Sequence, residues 1–244
     1  MTDIQKLAEL IKNSNKIVFF GGAGVSTESG VKDYRSKDGI YNTALNYGKP
    51  PEEILSHGCF FDDTELFYRF YRDYFLGEAE PNFTHYALAE LEKSGKQVTV
   101  VTQNVDSLHQ KAGSKNVLEL HGSVARNYCT KCKKDYTAEY IKNYPENVPR
   151  CECGGVIKPY VTLYGESLDD RTVNEAVYAI ANADLLIIGG TSLAVYPAAS
   201  FVRYYRGDNL VIINRESTSY DSYASLVFHD SLGKIFREVM KIIK

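Results

Sequence analysis

Four of the chain's five cysteines fall in one short stretch: Cys129-x2-Cys132, eighteen residues, then Cys151-x-Cys153. Four thiolates at such spacing suit a tetrahedral zinc ion, with each sulfur at about 2.3 Å. Four protein ligands leave no position open for water, so the ion is expected to be structural. The second pair is one residue tighter than the usual CxxC, and Gly154-Gly155 behind it permits the sharp turn this requires. Unliganded thiols or disulfides are competing readings, as is a zinc ribbon for nucleic acid suggested by Lys131, Lys133 and Lys134. Cys59 stands apart and reads as a small buried residue.

Reaction chemistry gathers elsewhere. Gly21-Gly22-Ala23-Gly24 follows an apolar run, and a strand entering a glycine-rich turn lets a pyrophosphate approach backbone N–H groups. Thr27 stands where the dinucleotide fingerprint has its third glycine, and no second strand ends in an acid about 20 residues on, which disfavours an ordinary dehydrogenase. A turn that needs glycine only for tight packing is the other reading. The next residues, Ser29 to Arg35, set Asp33, Tyr34 and Arg35 on one loop, suited to fold over a nucleotide, or simply a solvated turn. Gln103-Asn104-Val105-Asp106 follows another apolar run, and ligands of open α/β sheets bind at strand carboxyl ends. Asn104 and Asp106 equally suit a cap for a short helix over 107–112. His121 closes a third run; an imidazole titrates near neutrality and suits general-base work. The other histidines, at 57, 85, 109 and 229, read as structural.

The hydropathy pattern supplies the elements that must hold these groups. Apolar runs at 17–20, 98–101, 117–120, 185–188, 210–213 and 226–228 read as strands, several apolar on both faces, as in a parallel sheet covered twice. Helices are predicted at 3–13, 63–76, 84–94, 169–182, 197–206 and 231–243. Thr84 is the candidate cap of the third and Gly95 its stop, while Pro197 opens the fifth and Gly207 ends it. This alternation predicts an α/β layered fold with right-handed crossovers. Residues 36–80, rich in aromatics and turn formers, and 125–158, with the clustered cysteines, read as insertions forming one smaller module.

With 244 residues, 44% of them hydrophobic, the chain is long enough for a real core. A net charge of −3 argues against bulk electrostatic binding to nucleic acid. No apolar run approaches the ~20 residues of a bilayer span, and the first residues lack a secretory pattern. A cytoplasmic protein is therefore expected, without membrane or nucleic-acid partners and with cysteines serving a metal.

Taken in order, the following motifs resemble those of the sirtuins, the NAD-dependent protein lysine deacylases, and their compact bacterial members most of all. They are Gly22-Ala23-Gly24-Val25-Ser26-Thr27-Glu28-Ser29-Gly30-Val31-Lys32-Asp33-Tyr34-Arg35, Thr102-Gln103-Asn104-Val105-Asp106, Leu120-His121-Gly122 and the paired cysteines. Tyr164-Gly165-Glu166, Gly190-Thr191-Ser192-Leu193 and Val211-Ile212-Ile213-Asn214 complete the set, so the resemblance runs from about residue 10 to the C-terminus. It implies an α/β fold: a Rossmann-like parallel sheet with helices on both faces, from 1–35, 81–124 and 159–244. A smaller zinc-binding and helical module would come from 36–80 and 125–158, with one zinc on Cys129, Cys132, Cys151 and Cys153.

The resemblance also implies NAD as co-substrate. Its site would comprise Gly22, Ala23, Gly24, Thr27, Asp33, Tyr34 and Arg35; Gln103, Asn104, Val105, Asp106 and His121; and Gly190, Thr191, Ser192, Asn214, Arg215, Glu216 and Asp230. His229-Asp230 would close over the adenine. His121 and Asn104 would be catalytic. The implied reaction begins when the acyl oxygen of a lysine attacks the sugar carbon that nicotinamide leaves. His121 then deprotonates the ribose diol for attack on the resulting imidate, and water releases lysine and acyl-ADP-ribose. The acyl-lysine peptide would bind as an added strand between Val161, Thr162, Tyr164, Gly165 and Glu166 on one side and Val195 and Tyr196 on the other.

Two departures stand out: Lys32 replaces the family's usual proline, and Tyr34 replaces the phenylalanine that shields the sugar carbon. Activity is expected to survive, with altered nicotinamide exchange. Relatives that remove succinyl groups carry a tyrosine and an arginine three residues apart. Here Tyr71 and Tyr74 fall on those positions and Arg72 faces elsewhere on the helix, so acetyl and other uncharged groups are expected over succinyl. An ADP-ribosyltransferase using the same NAD site, and a non-catalytic NAD- or zinc-binding module, are the competing functions; the peptide-flanking segments and His121 favour the deacylase.

Overall fold

Thr2 caps the first helix, α1 (Asp3–Asn13), in a reciprocal bond with Gln5, and strand β1 (Lys16–Gly21) follows. The computed structural model describes residues 1–34, 39–43 and 47–243. Beyond β1 lie two 3₁₀ turns, Ala23–Val25 and Thr27–Ser29, then helices α2 (Ile40–Thr43), α3 (Pro51–Ile54), α4 (His57–Asp62) and α5 (Thr64–Phe75). Next come α6 (Phe83–Lys93), β2 (Gln97–Thr102), α7 (Leu108–Lys111), β3 (Val117–Glu119), β4 (Gly122–Cys129), β5 (Asp135–Thr137), α8 (Ala138–Asn143) and β6 (Ile157–Val161). The chain ends with α9 (Asp170–Ala181), β7 (Leu185–Gly189), a 3₁₀ segment (Ala198–Tyr204), β8 (Leu210–Ile213), β9 (Leu226–Phe228) and α10 (Leu232–Ile243).

Among the described residues, six strands form one parallel sheet in the order β3-β2-β1-β7-β8-β9. The chain steps outward from β1 to β3, then returns to place β7 on the free edge of β1. That reversal is the topological switch point of a Rossmann-like sheet, where the crevice for a ligand opens. Ile17 and Phe19 pack with α1, α6 and α10 on one face, whereas Val18 and Phe20 pack with α9 and Ala198–Tyr204 on the other. Double covering explains the unbroken apolar runs, since each fully buried Ile or Phe contributes about 1.5–3 kcal/mol.

A third apolar cluster joins Ile54, Phe60, Phe67 and Tyr71 to Cys129, Ile141, Cys151 and Ile157. Cys129 and Ile157 belong to an antiparallel sheet, β5-β4-β6, Ile141 to α8 beside it, and Cys151 to the loop before β6. The buried Tyr68 hydroxyl donates to the Ile157 carbonyl and stitches α5 to β6.

Two local expectations are corrected. The cap of α6 is Asn82, whose Oδ1 accepts the Thr84 N–H at 2.9 Å; Thr84 is buried inside the first turn, its hydroxyl unpartnered among the described residues. Residues 198–204 form a 3₁₀ segment rather than the α-helix predicted at 197–206. The Ser200 N–H and hydroxyl both reach the Pro197 carbonyl three residues back, at 2.9 and 2.6 Å, which sets the tighter pitch.

His85 of α6 and His109 of α7 are buried together, their ring centroids 4.6 Å apart. Burial pushes His85 down to about 4, against the pull of Asp106, and burial with the neighbouring His85 takes His109 to about 3. An unfolded chain protonates both near 6.5, so their contribution is whole above that pH and is lost as pH falls toward 4. We expect the melting temperature to drop between pH 6.5 and 4.5, and His109→Leu to lose less over that interval. Parallel slopes for the two proteins would show that this pair does not govern acid sensitivity.

Candidate active site

At the carboxyl ends of β1 and β7 two glycine turns interlock. Gly22 N–H donates to the Gly189 carbonyl at 3.2 Å, and Gly24 N–H to that of Gly190 at 2.8 Å. A Cβ at Gly22 would stand 2.7 Å from Thr191 Cβ, and one at Gly24 would stand 2.8 Å from Gly190 Cα. Both glycines are thus required by the approach of protein to protein, whatever else the turn holds. Beside the interlock opens a cleft of about 980 Å³. The described candidates for nucleotide and substrate line it except His229, expected over the adenine, whose ring lies instead against the Asn214 carbonyl at 3.3 Å and Asp221 at 3.5 Å; Arg35 lies outside the described residues, and the four clustered cysteines are not on its wall.

Side chains from three strand ends meet at this cleft. Ser26 Oγ donates to Asp106 Oδ2 at 2.6 Å, and Asn104 Nδ2 donates to Ser26 Oγ at 3.0 Å. Gln103 Nε2 donates to Thr191 Oγ1 at 3.1 Å, joining the end of β2 to that of β7. The other oxygen of Asp106 accepts the Leu108 N–H at 3.0 Å, so the carboxylate also takes up the first N–H of α7 from the residue before its Ser107 cap position. Farther along, Asn214 donates to the Glu216 carbonyl at 2.7 Å. Lys234 and the Ser231 N–H hold Asp230 below the usual carboxylate range.

His121 sits between β3 and β4, its main chain fixed by the Thr162 N–H, which donates to the His121 carbonyl at 2.9 Å. Nδ1 lies 2.9 Å from the Gln103 carbonyl oxygen. A carbonyl only accepts, so the proton belongs on Nδ1 and the neutral ring keeps a lone pair on Nε2. Burial pushes its pKa below the ordinary histidine value, with the Gln103 bond working in the opposite direction. The result is a base held neutral and in one tautomer on the cleft wall.

The segment 161–166 is fastened from behind. Tyr164 N–H donates to the Leu55 carbonyl at 3.0 Å, and His57 N–H to that of Tyr164 at 2.9 Å. Glu166 turns its carboxylate back to the Leu163 N–H at 3.0 Å, Lys158 Nζ at 3.0 Å and His57 Nδ1 at 2.9 Å. Burial alone would raise Glu166; these three partners outweigh it and bring the carboxyl below its ordinary value. Burial likewise lowers Lys158, against the pull of Glu166. Lys158 was not among the sequence candidates, although a lone lysine within the otherwise apolar start of β6 was its signal. Val195 and Tyr196 line the same cleft.

Tyr71 and Tyr74 of α5 also reach the cleft, and the buried Tyr71 hydroxyl has no hydrogen-bond partner among the described residues. Arg72 points away, its guanidinium donating to the Glu146 and Tyr144 carbonyls at 2.9 and 3.3 Å. Lys32 brings its ammonium to 5.7 Å from the centroid of the Tyr74 ring.

The four sulfurs of Cys129, Cys132, Cys151 and Cys153 lie within 4.8 Å of one another. Cys129–Cys153 and Cys132–Cys151 are each 3.5 Å apart, too far for disulfides and near the ~3.8 Å edge of a tetrahedron with 2.3 Å zinc–sulfur bonds. Lys131 and Cys132 N–H groups both donate to Cys129 Sγ at 3.4 Å, supporting a thiolate there. The donor set and its geometry fit a single zinc ion.

A model of the Sir2 family matches residues 22–197. An NAD-dependent protein deacetylase from Clostridium perfringens is 54% identical over 240 residues, covering 97% of this chain and 98% of that protein. Its counterpart from Clostridium tetani is 52% identical over 239 residues, with 97% of each chain covered. Among solved structures, a Sir2 with a p53 peptide and NAD+ aligns with a TM-score of 0.87 at 37% identity, covering 99% of this chain and 98% of the other. A Sir2 bound to acetylated peptide gives 0.86 at 35% identity, with both chains fully covered.

The cysteine geometry generates a direct check. Elemental analysis should find one zinc per chain, and chelation should lower the melting temperature, because metal binding and folding of this cluster are linked. A stripped protein that melts unchanged would remove the ion from any structural role.

Proposed function

The chain belongs to the Sir2 family, and from that membership we propose that this cleft removes acetyl groups from protein lysine side chains at the expense of NAD. It is an NAD-dependent protein deacetylase, giving nicotinamide, free lysine and acyl-ADP-ribose. The observation that carries the reading at residue level is His121: neutral, locked in one tautomer, and on the wall of a cleft lined by polar strand ends.

Bound NAD supplies a sugar carbon from which nicotinamide departs without acid assistance. The work left to the protein is positioning. In our assignment the turn over Gly22, Ala23, Gly24 and Thr27 and the turn over Gly190, Thr191 and Ser192 hold the phosphates. Gln103, Asn104, Val105 and Asp106 hold the nicotinamide ribose, with Asp33, Tyr34 and Arg35 closing over it. Asn214, Arg215, Glu216 and Asp230 hold the adenosine end. The Asn104–Ser26–Asp106 chain of hydrogen bonds supports this by fixing the amide and carboxylate relative to each other. His121 Nε2 takes the proton of a ribose hydroxyl, and the Gln103 carbonyl stabilises the cation so formed.

Acylated peptide is the second substrate. We assign it to the groove between Val161, Thr162, Tyr164, Gly165 and Glu166 and the facing Val195 and Tyr196, as an added strand, with Tyr71 near the acyl end. Glu166 then acts as a strut of the groove through Lys158. We divide the chain into a dinucleotide part (1–35, 81–124, 159–244) and a smaller part (36–80, 125–158), as the shared third core supports. Among the described residues no helix is long and apolar enough to cross a membrane. A cytoplasmic location without membrane or nucleic-acid partners completes the proposal, supported by the net charge of −3 and clustered unpaired thiols.

Replacing His121 by Ala should lower kcat by about 10²–10⁴ and leave NAD binding largely intact. Equal rates would strip His121 of its role. Since its pKa is lowered, kcat/KM should hold as pH falls through 6.5 and decline only below; an acid limb centred above 6.5 would contradict the assignment. Mass spectrometry should show acyl-ADP-ribose, whereas a modified protein would mark an ADP-ribosyltransferase. On matched peptides we expect acetyl-lysine to be preferred over succinyl-lysine, because Arg72 is engaged by main-chain carbonyls away from the cleft. A higher kcat/KM for succinyl-lysine would overturn that preference.

A further inference from the structure

We propose that Asn82 is a positioning residue for the dinucleotide turn, acting through the Val25 carbonyl and the Ser29 hydroxyl. Its amide is divided between two tasks. Oδ1 accepts the Thr84 N–H at 2.9 Å and caps α6. Nδ2 donates to the Val25 carbonyl at 2.7 Å and to Ser29 Oγ at 3.0 Å. The Asn82 N–H in turn donates to Nδ1 of the fully buried His85 at 3.1 Å, so the residue is fixed from its other side as well.

The turn held in this way spans Val25 to Ser29. It presents Ser26, which bonds Asp106 and Asn104, and Thr27, which lines the cleft. Its far side is tied independently. Glu28 Oε1 accepts the Gly233 N–H at 3.0 Å in the first turn of α10. Helices α6 and α10 pack together on one sheet face, so the turn hangs between two adjoining helix starts. Only a side chain that accepts and donates at once serves both tasks of Asn82. A carboxylate caps as well as an amide but offers no proton to Val25, and a serine caps but is too short to span.

The inference rests on the reading that NAD lies against this turn. Its test compares wild type with Asn82→Asp, Asn82→Ser and Asn82→Ala, measuring NAD affinity by calorimetry, melting temperature, and steady-state kinetics with acetylated peptide. The two cap-retaining variants should melt within a few degrees of wild type. They should nonetheless bind NAD at least tenfold more weakly and raise its KM to match, with KM for peptide and saturated kcat within twofold. Asn82→Ala should lose stability as well. The proposal is overturned if Asn82→Asp and Asn82→Ser bind NAD as wild type does. It is equally overturned if affinity falls only in step with melting temperature across the series. A wild-type protein that binds no NAD would overturn the underlying reading, and is recognised before any variant is compared.

Discussion

Two backbones share one narrow space where β1 meets β7. Gly24 and Gly190 approach so closely that a side chain on either would occupy the other's main chain, and the Gly24 N–H to Gly190 carbonyl bond, with Gly22 to Gly189 beside it, holds them there. Everything catalytic is measured from that contact. It sets Thr191 within reach of Gln103 and fixes the turn that lets Ser26 meet Asn104 and Asp106. A parallel sheet that reverses direction at one pair of strands leaves a crevice there in any protein. What this chain adds is a contact too tight to slide, which fixes the two turns relative to each other.

Burial explains both what His121 does and what His85 and His109 do not do. All three are pushed toward the neutral form by loss of water. Only His121 has a main-chain carbonyl on Nδ1 and a ring on the cleft wall. His85 spends Nδ1 on the Asn82 N–H, and both nitrogens of His109 are buried without a partner among the described residues. A lowered pKa thus marks three histidines; access and a fixed tautomer single out one.

Much of this is legible in the sequence. The runs of β1 and β7 announce strands buried on both faces because no polar alternation interrupts them. The cysteine spacing announces a metal because four thiolates have few other uses at that distance. The antiparallel sheet was harder to see, since β4 slips register between Ser123 and Asn127 and its alternation is blurred there. Helices α2 to α4 are too short for a helical period to emerge. Asn82 and Lys158 escaped for a different reason. Each looks local, a cap and a solitary charge; the second partner of Asn82, Val25, lies 57 residues away in the chain, and that of Lys158, Glu166, lies beyond the end of its own strand.

The order of the strands also has a history written into it. Gly21 is paired with Thr102 on one side and with Gly189 on the other. β2 is synthesised well before β7, so the other edge of β1 has no native neighbour until β7 emerges. Unsatisfied strand edges in partly made chains are where unwanted association begins. For this protein the arrival of β7 is therefore not an addition to a finished framework but the step that closes it, and a nascent chain stalled before β7 carries an unguarded strand at its very centre.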